Sequence, residues 1–273
     1  MGLRGISGET AAAIPDAVRI VLDTLDADDT FTLVEQRLGV TRLPAPLREV
    51  IAERTGGHPL FSEELAISLR DSGIIVVENG ECRLTASPSE LANLAIPETV
   101  QGVVTSRIDR MSPAAQMLIK IASVVGARFN ENLLLQIHPT EKDSRILHEA
   151  MVELEQRSFV VLEGPGEGSY VFKHMAIRDV AYEALSHAQR RRLHREVAVS
   201  LEAMAQAGSV RDAPLLGHHW LQAAGDGSDD EEALRRAEEH LTEAGRIALQ
   251  QGAFAEGETF LRDALSCFDR LPD

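Results

Sequence analysis

The lysines of the chain are the residues that would have to hold the phosphates of a nucleotide, and their neighbours exclude that role. A Walker A loop needs Gly-Lys-Ser/Thr, because backbone N–H groups surround the phosphates while the lysine reaches the β and γ oxygens. Lys120, Lys142 and Lys173 follow isoleucine, glutamate and phenylalanine, so no such loop is present. We therefore expect the 273-residue chain not to hydrolyse ATP by itself.

Histidine and cysteine could bind a metal, but their spacing matches no common metal site. None of the nine histidines forms His-Glu-x-x-His, and His218 and His219 are adjacent, so their side chains should diverge on a helix. Cys82 and Cys267 are far apart, which indicates reduced thiols, as in a cytosolic protein. The acidic run over 226–232 lacks the alternation of an EF-hand and is typical of a helix start. The sequence predicts no metal site.

Composition predicts a mostly α-helical cytoplasmic protein of two or three domains. Hydrophobic residues make up 44% of the chain and aromatic residues only 4%, so the core must be aliphatic, which suits packed helices. The formal net charge of −16 disfavours non-specific binding to nucleic acid or to an anionic membrane. No apolar stretch approaches the roughly 20 residues needed to cross a bilayer.

The first third of the chain has the pattern of a short strand followed by a small helical subdomain over 26–96. In order, it predicts a strand at 19–25, helices beginning at Asp26, Ala45 and Pro59, a hairpin of 74–77 with 82–84, and a linker at 85–90. Gly56 and Gly57 separate the second and third helices. Asn79-Gly80 is typical of a two-residue hairpin turn.

Residues 97–186 show a different pattern, three helices followed by two strands. The helices are predicted at 97–110, after Ser112-Pro113, and at 144–156, and the strands at 159–162 and 170–172. Glycine-rich sequence separates the two strands. Three helices with a two-stranded wing are typical of a winged-helix domain.

Residues 187–273 are predicted to be helical, and their end has the spacing of one tetratricopeptide unit. The positions that carry this spacing are Leu241, Ala244, Gly245, Ala248, Gly252, Phe254, Gly257, Leu261 and Ala264. We expect the small residues where the two helices cross, with Phe254 filling the space beside them. Because one unit cannot bury its face alone, we expect the array to continue beyond Asp273.

With these residues placed, the chain from about Arg19 onward resembles the STAND class of signal-transduction ATPases, which are relatives of AAA+ proteins. The likeness is to bacterial multidomain regulators whose ATPase modules accompany nucleotide-cyclase, protein-kinase or LuxR-type DNA-binding domains. Residues 54–61 (RTGGHPLF) resemble the lid signature of the family, and residues 172–182 (FKHMAIRDVAY) resemble the end of its winged helix. The resemblance implies four segments: the last strand of a nucleotide-binding domain at 1–25, a lid at 26–96, a winged helix at 97–186 and sensor repeats at 187–273.

The resemblance also implies roles for Gly57, Pro59 and His174. In the family the Gly-x-Pro turn packs against adenine and the histidine faces the β-phosphate of ADP. The implied cofactor is ATP or ADP in a parent protein with a P-loop, and none for this chain alone. The implied partners are an upstream nucleotide-binding domain, an inducer or protein bound by the repeats, and further copies on activation. From the residues alone, two alternatives stay open. Residues 57–59 could be an ordinary connection between two helices, and His174 could be a histidine at a strand end that is hydrogen-bonded by nearby backbone groups.

Two other classes of function stay open, a winged-helix transcription factor and a helical-repeat scaffold. The segment that would read DNA, with its flanks, carries more acids than bases: Lys142, Asp143, Arg145, Glu149, Glu153, Glu155 and Arg157. A helix in the major groove needs donors for phosphates and bases, so nucleic acid is a disfavoured partner. The basic cluster of Arg190, Arg191, Arg192 and Arg195 is predicted to be a solvated helix face.

Overall fold

The computed structural model describes residues 22–87, 90, 96–138, 143–164, 168–207, 212–225 and 230–272. These residues are mostly α-helical, which confirms the predicted fold class. The chain divides into two compact units, residues 1–100 and 101–273. The finer division at 97 and 187 stays a prediction.

The described residues of the N-terminal unit form three helices and a hairpin. They are α1 (Ala27–Leu38), α2 (Ala45–Thr55), α3 (Pro59–Asp71), β1 (Ile75–Glu78) and β2 (Glu81–Leu84). The Asp26 carboxylate caps α1 by accepting from the Asp29 backbone N–H at 2.8 Å. Asn79 and Gly80 both have positive φ, as a tight turn between twisted strands requires. Local sequence signals therefore predicted this unit well.

The strand predicted at 19–25 is wrong over its described part, since residues 22–25 belong to no strand. Residues 19–21 lie outside the described residues. The Leu25 N–H instead donates to the Gly57 carbonyl at 2.9 Å. One hydrogen bond to a turn is not a ladder, and an apolar run becomes a strand only beside another strand.

The C-terminal unit begins with helices arranged around a small sheet. Its elements are α4 (Val100–Asp109), α5 (Pro113–Val125), β3 (Arg128–Asn130), α6 (Glu131–Ile137), α7 (Ser144–Gln156), β4 (Val160–Leu162), β5 (Ser169–Phe172) and α8 (Met175–Glu183). The predicted two-stranded wing is present as β4 and β5, and the structure adds β3, giving the antiparallel order β3-β5-β4. The first helix begins at Val100 rather than at Pro97. A three-residue strand is too short to produce an alternating pattern, so the sequence gives no signal for β3.

The described residues from 187 onward form four further helices, and each packs against the next. They are α9 (His187–Gln206), α10 (Ala213–Ala224), α11 (Glu231–Gln250) and α12 (Phe254–Phe268). The crossing of α11 and α12 uses small residues, because a Cβ on Gly245 would lie 2.6 Å from Leu261 Cγ. The prediction for Phe254 is wrong: its side chain, at the first residue of α12, is 71% exposed.

Both cysteines lie inside these units. Cys82 on β2 is 9% exposed in the N-terminal unit, and Cys267 on α12 is fully buried in the C-terminal unit. Both thiols are free, and burial raises the pKa of each. The two groups are therefore protonated and shielded at neutral pH.

Candidate functional site

The turn between α2 and α3 contains Gly57 and Pro59, two of the three predicted nucleotide contacts. α2 ends in Gly56 with φ of 54°, Gly57 follows with φ of 75°, and Pro59 is the first residue of α3. Both glycines adopt the left-handed region, which other residues enter only with strain. The sequence folds this way because Gly-Gly allows the chain to reverse and proline starts the next helix.

Gly57 is also fixed by a close backbone approach. Its carbonyl accepts from the Leu25 N–H at 2.9 Å, and a Cβ at this position would lie 2.1 Å from the Leu25 carbonyl oxygen. No side chain fits at that distance. The glycine is therefore required by the packing of the segment before α1, in addition to its φ angle.

Next to the buried Gly57, His58 and Pro59 are exposed. Behind them the turn is held by the Ser62 hydroxyl, which donates to Thr55 Oγ1 at 2.8 Å. A rigid turn with an exposed proline ring can offer an apolar surface to a planar group. Its shape does not depend on that group being bound.

His174, the third predicted contact, joins β5 to α8 in the C-terminal unit. It is half-buried, has an extended backbone, and is the residue that precedes the first turn of α8. The neighbouring Lys173 N–H donates to the Phe159 carbonyl at 3.0 Å, which ties this corner to the wing. The structure thus brings Gly57 and Pro59 into one turn, while His174 belongs to the other unit.

The helix that would read DNA, α7, has an acidic surface in its described part. Glu149 and Glu155 are exposed, and the Arg157 guanidinium is held by Glu153 at 3.0 Å. Lys142 lies outside the described residues. This surface offers few hydrogen-bond donors to phosphates, and the absence of a nucleic-acid partner stays a prediction.

A cluster of histidines that the sequence analysis missed lies where α8, α9 and α10 meet. The Nδ1 atoms of His194 and His219 are 2.9 Å apart, so one neutral ring donates to the other. The Tyr182 hydroxyl lies 3.1 Å from His194 Nε2. His218 is also close, with its ring centre 5.4 Å from that of His219.

His218 and His219 diverge as expected, since His218 is exposed and His219 is buried, but the sequence analysis did not predict that they meet the same third ring. Both rings contact His194, with centroid distances of 5.7 and 5.1 Å. Adjacent helical side chains point about 100° apart, and a third ring lying between them from another helix can touch both. A weak signal was available, since His194 shares the apolar stripe of Leu193 and Val197 on α9.

The His194–His219 pair is neutral because both rings are buried. Burial, with smaller contributions from His219, His218 and two arginines, lowers the pKa of His194 to about 2. Burial and then His218 lower the pKa of His219 to about 3, and the pKa of His218 is lowered by burial and by Arg178. The cluster holds three helices together by neutral hydrogen bonds and ring contacts.

A second buried polar cluster is centred on Glu202 of α9. Its Oε1 accepts from Trp220 Nε1 at 2.9 Å and lies 2.9 Å from His240 Nε2. Arg236 approaches the other carboxylate oxygen at 3.3 Å. One carboxylate therefore connects α9, α10 and α11, and its charge is balanced inside the helical array.

Neither cluster has the geometry of a metal centre. Within the described ranges, no group of three or more His, Cys, Asp or Glu side chains is arranged to hold a metal ion. Over the same residues, no helix combines the length and apolar character required to cross a membrane.

Comparison with known proteins gives a partial match to a family and two more distant relatives. Residues 27–83, which contain the Gly57 turn, match a family described as a domain of unknown function (DUF8739). The chain is 25% identical over 257 residues to "Uncharacterized protein R02095" of Rhizobium meliloti (strain 1021), a match that covers 93% of this chain. It is 23% identical over 155 residues to "Adenylate cyclase type 10" of Rattus norvegicus, a match that covers 44% of this chain. No solved structure matches.

Both relatives are much longer than this chain. The matches span 23% of the Rhizobium protein and 10% of the rat cyclase. The chain is therefore similar to one part of two longer proteins.

Proposed function

We propose that the chain is a regulatory module of a STAND-type signal-transduction ATPase. It would couple the ADP or ATP state of an upstream nucleotide-binding domain to the binding of a ligand or protein by the helical array. The single observation that carries this proposal is the order of parts along the chain. A helical unit with a glycine–proline turn precedes a helical unit with a three-stranded wing, and then helices that pack in sequence.

The similarity to part of a much longer adenylate cyclase supports a signalling role. The order of α5, β3, α6, α7, β4 and β5, with the sheet order β3-β5-β4, supports a winged helix. The Gly245–Leu261 crossing of α11 and α12 supports tetratricopeptide-like packing.

In this proposal the chain contributes binding groups and no catalytic lysine. Gly57 lets the lid turn pass close to the preceding segment, and the exposed Pro59 ring would pack against adenine. His174, at the end of the wing, would donate from its imidazole to the β-phosphate of ADP. The nucleotide would then connect the lid and the winged helix and hold the protein in a closed state.

The test uses the longer protein that carries the nucleotide-binding domain. A charge-assisted hydrogen bond is worth about 1.5–3 kcal/mol, so His174→Ala should speed ADP release by roughly one to two orders of magnitude. His148→Ala is the matched control, because that imidazole is 65% exposed and lies on α7. Pro59→Ala should weaken ADP and ATP binding alike.

Two results would contradict the proposal. One is an unchanged ADP off-rate in His174→Ala with a fall in melting temperature that is the same with and without ADP. The other is a salt-dependent mobility shift on duplex DNA by the 273-residue chain, which would favour a winged-helix transcription factor instead.

A further inference from the structure

A cavity of about 750 Å³ lies in the C-terminal unit, lined by residues of α8, α9, α10 and α12 and of the turns that follow α10 and α12. The residues that matter to its chemistry are Tyr182, Arg190, Arg191, Asp263, Ser266 and Arg270. Three guanidinium groups face one carboxylate, so the lining is positive. This is opposite to the chain as a whole, which has a formal net charge of −16.

Backbone carbonyls and a ring orient two of the guanidinium groups. Arg190 donates to the carbonyls of Tyr182 and Glu183, both at 3.1 Å, and its guanidinium carbon lies 4.5 Å from the centre of the Tyr182 ring. Arg270 donates to the Gly225 carbonyl at the end of α10. Carbonyl oxygens fix the direction of a guanidinium but leave its full positive charge uncompensated.

Arg191 differs from the other arginines of the same helix. Arg192 pairs with Glu196 at 2.8 Å, and Arg195 pairs with Glu232 at 2.8 Å. Among the ion pairs of the described residues, Arg191 has no carboxylate oxygen within 4 Å, and it interacts with Asp230 only at longer range. Arg191 and Arg192 are exposed, as the predicted solvated face requires. Arg190 and Arg191 also line the cavity.

We propose that this cavity binds a small molecule that carries two or more negative charges on oxygen atoms, as a phosphorylated compound or a polycarboxylate does. Guanidinium groups bind such oxygens in pairs, and the volume is in the range of small-molecule sites. Asp263 repels a second anionic end and accepts a hydrogen bond from a hydroxyl or amino group, while Ser266 offers a further hydroxyl. The ligand therefore has one anionic end and one neutral or cationic donor end.

This inference rests on the proposed function in one respect, since it names a ligand class for the sensing part of the module. Its site lies wholly inside the C-terminal unit and needs no nucleotide-binding domain. A failure here leaves the ADP-release test of His174 untouched, and the two ideas can be refuted separately.

The experiment is isothermal titration of the 273-residue chain with pyrophosphate at low ionic strength, with citrate and chloride as parallel titrants. We expect pyrophosphate or citrate to bind with a Kd of about 1 mM or tighter, and added salt to weaken binding. Arg191→Ala and Arg270→Ala should each weaken binding about tenfold or more, because each removes a charged donor. Arg191→Lys, which keeps the charge but loses the planar fork, should fall between.

The matched control is Arg262→Ala. That arginine lies on α12, which Arg270 follows, but it pairs with Glu258 at 2.6 Å and does not line the cavity. The Arg262→Ala variant should bind the anion with the affinity of the wild type. Circular dichroism should show that all variants are folded. Preference for pyrophosphate identifies phosphate as the recognised group, and preference for citrate identifies carboxylates. Three results would overturn the proposal: no binding of pyrophosphate or citrate at about 10 mM, binding no tighter than that of chloride, or an equal loss of affinity in Arg262→Ala.

Discussion

The neutral His194–His219 pair should make the C-terminal unit sensitive to acid. Folding lowers the pKa of these two groups from 6.5 to about 2 and about 3. Because both values are lowered, the unfolded chain binds more protons than the folded chain once the pH falls below 6.5. Stability from the pair is therefore fully present above that pH and is lost progressively as the pH drops.

The size of the effect follows from the two protonation equilibria. Between pH 7.5 and pH 5.0 the folded rings stay neutral while the unfolded rings become charged, which costs about 2 kcal/mol for each histidine. The pair should thus account for about 4 kcal/mol of lost unfolding free energy. His219→Asn removes one titrating group and keeps an amide that can hydrogen-bond to His194, so the loss should be about 2 kcal/mol smaller than in the wild type.

Trp220 makes the measurement direct. It is the only tryptophan in the chain, it is 1% exposed, and it follows His219 on α10. Urea unfolding followed by its fluorescence at the two pH values gives the free energy for this unit. His148→Asn, altered at an exposed position, should match the wild type. If His219→Asn loses as much stability as the wild type between these pH values, the neutral buried pair does not exist as described.

Three further substitutions have expected outcomes. Gly57→Ala should lower the free energy of unfolding by about 1–3 kcal/mol more than Gly56→Ala does. Both substitutions place alanine at a positive φ, but only a Cβ at position 57 would meet the Leu25 carbonyl. Equal losses of unfolding free energy in the two variants would refute the contact. Glu202→Gln should cost about 1–3 kcal/mol in urea unfolding, since it removes a buried charge with several donors; an unchanged value would count against the cluster. Gly245→Val should destabilise the crossing of the last two helices by about 2 kcal/mol in the same assay, and a stabilised variant would contradict it.

Local chemistry was predictable from the sequence because each signal acts within a few residues. Ser112 followed by proline caps α5 as expected, with the Ser112 hydroxyl accepting from the Ala115 N–H at 3.2 Å. The helix predicted at 144–156 has these bounds in the structure. A polar cap or a helical apolar stripe can be recognised from a short stretch of sequence, without the rest of the chain.

Features that join distant residues were not predictable. β3 forms because Arg128–Asn130 pairs with β5, which lies some forty residues later in the chain. Residues 22–25 form no strand because they pair with no neighbouring strand. The glycine at 57 was visible in the sequence, but its contact with Leu25 was not. The same limit applies to the cavity, where Arg190 and Arg191 lie near Arg270, which follows the last helix.

The position of the two cysteines has a practical consequence for kinetics. Each unit contains one buried, free thiol, Cys82 in the first and Cys267 in the second. A thiol-reactive reagent modifies such a group only after the structure around it opens, so the labelling rate reports the opening equilibrium of that unit. Mass spectrometry of the two labelled peptides from one sample would give separate opening free energies for the two halves of the molecule. Cys82 and Cys267 therefore serve as separate probes of local opening, one for each unit.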